Sequence, residues 1–188
     1  DLQPSPQVSR VDRMASSITG EIRLDVRDRV QLPRLYLVWP SPPMFDVDEA
    51  PLDLLAELLG EGKTSRLYRS LVYDKQIARD VSVGNYAQEI AGEFQVVVTA
   101  NPGHTVEELQ EVVEEELLTI KSEAPDIKEL QRSINLIEVN HVRQLENVGG
   151  FGGRADQLNH YNVFTGDPGT LNGSGRAPNA PSKKRPLL

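Results

Sequence analysis

The residues best suited to chemistry in this sequence are Arg154 and Tyr161, which lie seven positions apart near its end. On an α-helix that spacing is about two turns, so both side chains share one face. An arginine is a permanently charged fork of N–H donors, and a tyrosine hydroxyl donates as well. The pair is therefore suited to binding the carbonyl or carboxylate oxygens of a ligand.

A glycine-rich segment stands directly before this pair. Its glycines are Gly149, Gly150, Gly152 and Gly153. We interpret them as the end of a preceding helix and as a flexible hinge for the two side chains. Structural alternatives stay open for both residues: Arg154 could pair with Asp156 or cap the preceding helix, and Tyr161 could be a core residue.

The preceding helix is predicted over residues 126–148, where apolar side chains recur every three or four positions. The predicted stripe consists of Ile127, Leu130, Ile134, Ile137, His141, Leu145 and Val148. Since His141 lies on this stripe, we interpret it as a hydrogen-bonded core histidine.

The rest of the chain predicts an α+β fold, an antiparallel sheet with helices packed on one face. Strands are predicted over residues 21–28, 35–39, 78–86 and 92–100, and short loops indicate that the last two form a hairpin. Helices are predicted over about residues 50–59, from Ser65, and from the capping box of Thr105 and Glu108.

Composition excludes several classes of site. The chain has no cysteine, so disulfides, thiolate zinc sites and a cysteine nucleophile are ruled out. The net charge of −8 argues against a nucleic-acid partner, which requires clustered Lys and Arg. No apolar run approaches the length that spans a membrane.

The chain is expected to contain one folded unit between two polar segments. Residues 1–20 are predicted to be a linker or N-terminal arm, and residues 21–171 the folded domain. Residues 172–188 contain four basic and no acidic side chains and few apolar ones. We predict that this segment is a disordered tail, or a tail added to the natural chain.

Two patterns resemble known sites without completing them. Residues 60–64 resemble the end of a phosphate-binding loop, but Glu57 stands where that loop needs glycine, and a helix precedes it instead of a strand. His160 adjoins Tyr161, but no serine or aspartate stands at a spacing that makes a triad with it. We interpret the first pattern as a helix end and the second as a structural or solvated histidine.

Metal-binding patterns are incomplete as well. His104 and Glu107 are one residue short of the zinc-protease pattern H-x-x-E-H, because Glu108 takes the place of the second histidine. Glu138 and His141 form Glu-x-x-His once, whereas a di-metal bundle needs it twice. We therefore predict no metal site and no catalytic residue in this chain alone.

Several segments resemble the pitrilysin/insulinase family of zinc metallopeptidases, specifically its non-catalytic C-terminal half or inactive partner subunit. The resemblance covers about residues 30–171. It rests on residues 32–40, 58–68, 102–109 and 146–169. The feature most specific to the family is a combination of two patterns. Residues 65–68 follow a glycine-rich turn, and Arg154 and Tyr161 lie seven positions apart.

The resemblance implies two similar α+β halves that enclose a peptide substrate, with zinc bound by the other half. The helix that would carry the zinc ligands corresponds here to residues 50–59, which contain no histidine. The inactive half of the family donates an arginine–tyrosine pair to the partner's site, and the pair corresponds to Arg154 and Tyr161. These two residues are therefore expected to bind substrate.

The resemblance also implies a bacterial periplasmic or cell-envelope location. The family continues after Leu171 with more helix and a last strand, so this half-domain looks truncated. Two alternatives stay open: a structural paralogue that serves as an assembly scaffold, or a peptide-binding module.

Overall fold

The structure, a computed structural model, describes Asp12 and residues 18–173, the side chains of residues 172 and 173 excepted. The predicted arm, residues 1–20, and the predicted tail, residues 172–188, lie almost entirely outside the described residues. Three strands form one antiparallel sheet in the order β1-β3-β2. They are β1 Arg34–Ser41, β2 Ala78–Ala87 and β3 Gly92–Ala100. The predicted α+β fold with an antiparallel sheet is confirmed.

The helices lie between and after the strands. They are α1 Glu49–Gly60, a π-helical segment Tyr68–Asp74, α2 Val106–Ser122, α3 Ile127–Glu146, α4 Arg154–Thr165 and a 3-10 segment Pro168–Gly173. The predicted capping box starts α2: the Glu108 N–H donates to Thr105 Oγ1 at 3.3 Å, and the Thr105 N–H donates to the Glu108 carboxylate at 3.3 Å. The predicted starts of α1, the π-helical segment, α2 and α3 lie within three residues of the observed ones.

The core lies between one face of the sheet and the helices α1 and α2. In β3 the alternating side chains of Phe94, Val96, Val98 and Ala100 are buried, as the period of two predicts. They pack with buried residues of the helices. Those residues include Ala56, Leu59, Leu67, Leu71, Leu109, Val112 and Val113. The other face of the sheet exposes Tyr36 and Val38.

The strand predicted at residues 21–28 is wrong. The segment has no regular secondary structure, and Ile22, Leu24 and Val26 are 81%, 82% and 77% exposed. Its side chains alternate, but a strand also needs backbone partners on a neighbouring strand. The segment instead contacts α2 through Arg23, whose Nη2 donates to Glu107 Oε1 at 3.1 Å.

Helix α3 packs on α1 and connects the core to α4. Its predicted stripe is the less exposed face from Leu130 to Leu145, whereas the two ends of the stripe, Ile127 and Val148, are exposed. A bidentate ion pair fixes the start of α3: Arg66 Nε and Nη2 donate to the two carboxylate oxygens of Glu129 at 2.9 and 2.8 Å.

Candidate functional site

The glycine turn (residues 149–153) connects α3 to α4 and is closed by hydrogen bonds. The Gly153 N–H donates to Gly150 O at 3.2 Å, and the Gly152 N–H donates to Asp156 Oδ2 at 2.8 Å. Gly150 and Gly152 have φ of +86° and +75°, a conformation that side chains rarely adopt. The glycines therefore build a defined turn, and the flexible hinge stays a prediction.

Arg154 is the first residue of α4, and its side chain reaches back to the end of α3. Its Nε and Nη2 donate to the Leu145 carbonyl at 3.1 and 2.8 Å. The structural alternative in which Arg154 caps the preceding helix is thus observed, whereas Asp156 bonds the glycine turn instead. Two of the five guanidinium N–H groups are used in this way, and the side chain is exposed.

Tyr161 lies two turns further along α4, so the predicted helical spacing of the pair is confirmed. Its side chain is half-buried. The ring meets Phe45, in the loop between β1 and α1, edge to face with centroids 5.2 Å apart at 66°. Tyr161 therefore combines core-like packing on one side with partial exposure to solvent.

An aromatic cluster (Phe45, His160, Tyr161 and Phe164) joins α4 to the β1–α1 loop. The His160 ring lies 4.7 Å from the Phe164 ring and 5.6 Å from the Phe45 ring. His160 therefore packs among aromatic rings, as its interpretation as a structural histidine predicts. Sequence reasoning missed Phe45, although an aromatic residue in a loop of prolines and aspartates could have indicated a contact.

The residues on α1 do not fit a zinc ion. The helix has no histidine; Asp53 accepts a hydrogen bond from Asn85 Nδ2 at 2.9 Å. Burial raises the pKa of Glu57, because desolvation disfavours the ionised form that a metal ion would need. Within residues 18–173, His, Asp and Glu side chains nowhere gather in a group of three that could hold a metal ion.

The other incomplete motifs have structural roles. Residues 60–64 form the turn that ends α1, where Gly62 has a φ of +75° and the Ser65 hydroxyl donates to Gly62 O at 2.8 Å. His104 Nδ1 lies 2.9 Å from Glu108 Oε2, the same carboxylate that caps α2. The interpretation of residues 60–64 as a helix end is confirmed.

Comparisons with known proteins give one consistent family. The family model described as peptidase M16 inactive domain matches residues 2–137. No curated protein matches the chain at a significant level. Across the described part of the chain, none of the helices is long and apolar enough to cross a membrane.

Solved structures share this fold. A protease from Helicobacter pylori is 25% identical with a TM-score of 0.68, over 78% of this chain and 34% of that one. A peptidase M16 inactive domain from Pseudomonas fluorescens is 19% identical with a TM-score of 0.53, over 58% and 26%. An inactive peptidase domain from Bordetella parapertussis is 19% identical with a TM-score of 0.67, over 84% of both chains. This chain thus spans about a third or less of the first two structures.

Proposed function

The chain belongs to the family of peptidase M16 inactive domains, and we propose that it is the zinc-free, substrate-clamping half of a metallopeptidase. In this proposal a partner half of the same family binds zinc. Arg154 and Tyr161 of this chain bind the peptide substrate at the partner's zinc site.

The observation that carries the proposal is the common face of α4, which presents Arg154 and Tyr161 two turns apart. Arg154 keeps three guanidinium N–H groups beyond the two that bond Leu145. An exposed arginine and a half-buried tyrosine on one helix face suit binding of oxygen atoms from another molecule.

Phe151 supports a partner at this end of the molecule. It lies between the two glycine pairs of the turn and is fully exposed. A single exposed apolar residue is common. Val142 and Val148, close to Phe151 in the sequence, are exposed as well, and a group of exposed apolar side chains is typical of an interface.

The proposed chemistry divides the work between two halves. The partner half supplies zinc, which polarises the scissile carbonyl and activates water, and a glutamate base. Arg154 and Tyr161 donate hydrogen bonds to the substrate backbone or to the oxyanion that develops. By family analogy, the peptide lies along a sheet edge of the catalytic half, in a bacterial periplasm or cell envelope.

The test is Tyr161→Phe in the enzyme assembled from this chain and a half that carries H-x-x-E-H. We expect kcat to fall roughly tenfold or more, the scale of losing one oxyanion donor. Tyr73→Phe is the matched control, because Tyr73 is 73% exposed and lies in the π-helical segment, apart from α4. An unchanged rate with Tyr161→Phe would refute the role of this residue.

A second measurement tests the division of labour. The chain alone should hydrolyse no unfolded peptide and should bind no stoichiometric zinc. Zinc found at one equivalent in the isolated chain would contradict an inactive half. If Tyr161→Phe and Arg154→Ala both assemble with the partner half and leave the activity unchanged, the alternative of an assembly scaffold would be favoured.

A further inference from the structure

The loop between β1 and α1 holds Phe45 in a defined and unusual conformation. Phe45 has a φ of +61°, and Gln76 is the other non-glycine residue in the described chain with a positive φ. Such a conformation is uncommon for an aromatic residue and costs free energy, so surrounding contacts must maintain it. Conformations of this kind cluster at functional sites.

Hydrogen bonds fix this loop to the body of the domain. The Met44 N–H donates to Gln88 O at 2.9 Å, in the loop between β2 and β3. The Phe45 N–H donates to the carboxylate of Glu49, in the first turn of α1. Phe45 is therefore held between the sheet and α1, and its ring projects from a rigid support.

The ring of Phe45 contacts α4 at the residue expected to bind substrate. It meets the Tyr161 ring edge to face at 5.2 Å and lies 5.6 and 6.3 Å from the rings of His160 and Phe164. None of the residues of α4 is fully buried. Because α4 buries so little, each contact between α4 and the rest of the domain contributes much to fixing the position of the helix.

We propose that Phe45 is the positioning residue for Tyr161. Its ring sets the orientation of the phenol that α4 presents to the partner half. The kinetic consequence rests on the proposed function of Tyr161, whereas the positioning itself can be measured on the chain alone. Because misplacement by about 1 Å can cost about a hundredfold in rate, a positioning contact remote from the chemistry is measurable.

The structural test is ¹⁹F NMR of the chain labelled with 3-fluorotyrosine. The chain has five tyrosines, and Tyr161→Phe assigns the resonance of interest. We expect Phe45→Leu to shift and narrow the Tyr161 resonance and to leave the other four in place. Phe45→Tyr, which keeps the ring and adds a sixth resonance of its own, should return the Tyr161 resonance to its wild-type position.

The kinetic test is a double-mutant cycle in the assembled enzyme. Phe45→Leu should lower kcat at least about threefold with little change in KM, and should have no further effect when Tyr161 is already phenylalanine. Val47→Ala, a 59% exposed neighbour in the same loop, should leave kcat unchanged. Equal losses from Phe45→Leu with and without the Tyr161 hydroxyl would overturn the proposal.

The two tests separate the two hypotheses. A Tyr161 resonance that stays in place in folded Phe45→Leu refutes positioning by Phe45. A shifted resonance together with an unaffected rate in Tyr161→Phe supports the positioning and refutes the proposed function. If Phe45→Leu does not fold, Phe45→Met takes its place, because the flexible methionine side chain adapts better to an irregular gap.

Discussion

The Arg154 guanidinium donates through Nε and Nη2 to the carbonyl of Leu145 at 3.1 and 2.8 Å. This carbonyl belongs to the last turn of α3, where the final C=O groups of a helix lack partners within the helix. A cation at a helix C-terminus also interacts favourably with the helix dipole. The contact therefore both completes α3 and fixes the direction of the Arg154 side chain at the start of α4.

Replacing Arg154 by alanine should affect activity more than stability. Both bonds to Leu145 are exposed, so we expect a loss of about 1 kcal/mol in the free energy of unfolding. In the assembled enzyme we expect kcat/KM to fall roughly tenfold or more. Arg154→Lys should be intermediate, because it keeps the charge and loses the fork.

Urea unfolding and steady-state kinetics measure the two effects, with Arg143→Ala on α3 as the control. Arg143 is an exposed arginine in the last turn of the same helix. A stability loss of several kcal/mol with proportionate loss of activity would make Arg154 a purely structural residue.

The glycine turn yields a matched pair of variants. A Cβ at Gly153 would lie 2.6 Å from Gly149 O and 3.0 Å from Asn147 O, whereas a Cβ at Gly149 meets nothing within 4 Å. Because backbone atoms cannot move aside cheaply, Gly153→Ala should lower the free energy of unfolding by about 1–3 kcal/mol. Gly149→Ala should change it by less than about 0.5 kcal/mol. Thermal unfolding of both variants measures the difference, and equal stability would show that the turn adapts.

The Arg66–Glu129 pair predicts a loss of stability in acid. Hydrogen bonds from Arg66 lower the pKa of Glu129. A carboxyl whose folded pKa is depressed stabilises the fold above its unfolded pKa, about 4.3, and loses that contribution as pH falls through the folded value. Glu129→Gln should therefore be less stable than wild type at pH 7, by about 2 kcal/mol.

Urea midpoints measured between pH 7 and pH 3 test this prediction. The difference in midpoint between wild type and Glu129→Gln should shrink as pH falls. Glu111→Gln is the control, since Glu111 is exposed on α2. A gap that stays constant with pH would show that the ion pair does not account for the acid sensitivity.

Glu57 predicts a dependence of stability on pH in the opposite direction. Burial raises its pKa, and its buried Oε1 has no hydrogen-bond partner within the described part of the chain. A carboxyl with a raised folded pKa stabilises the fold below its unfolded pKa and loses that contribution as pH rises through the folded value. Glu57→Gln should therefore have a higher urea midpoint than wild type at pH 7, and the advantage should disappear near pH 3.

Local patterns in the sequence determined most of the elements and the family. The capping box of Thr105 and Glu108 and the periodicity of β3 depend on neighbours within a few positions, so the chain alone specifies them. The same holds for the common face of Arg154 and Tyr161, because residues seven positions apart on a helix are separated by about two full turns. The candidate pair could therefore be chosen before any tertiary contact was known.

Only the tertiary structure decided what these residues touch. The ring of Phe45 meets Tyr161 across more than a hundred positions of chain, and no periodicity relates two such distant residues. The alternating residues 21–28 formed no strand, since pairing depends on a neighbour that the segment does not contain. Packing and hydrogen-bond partners are properties of the assembled fold. The bonds from Arg154 to Leu145 and the contact of Phe45 with Tyr161 are therefore known only from the tertiary structure.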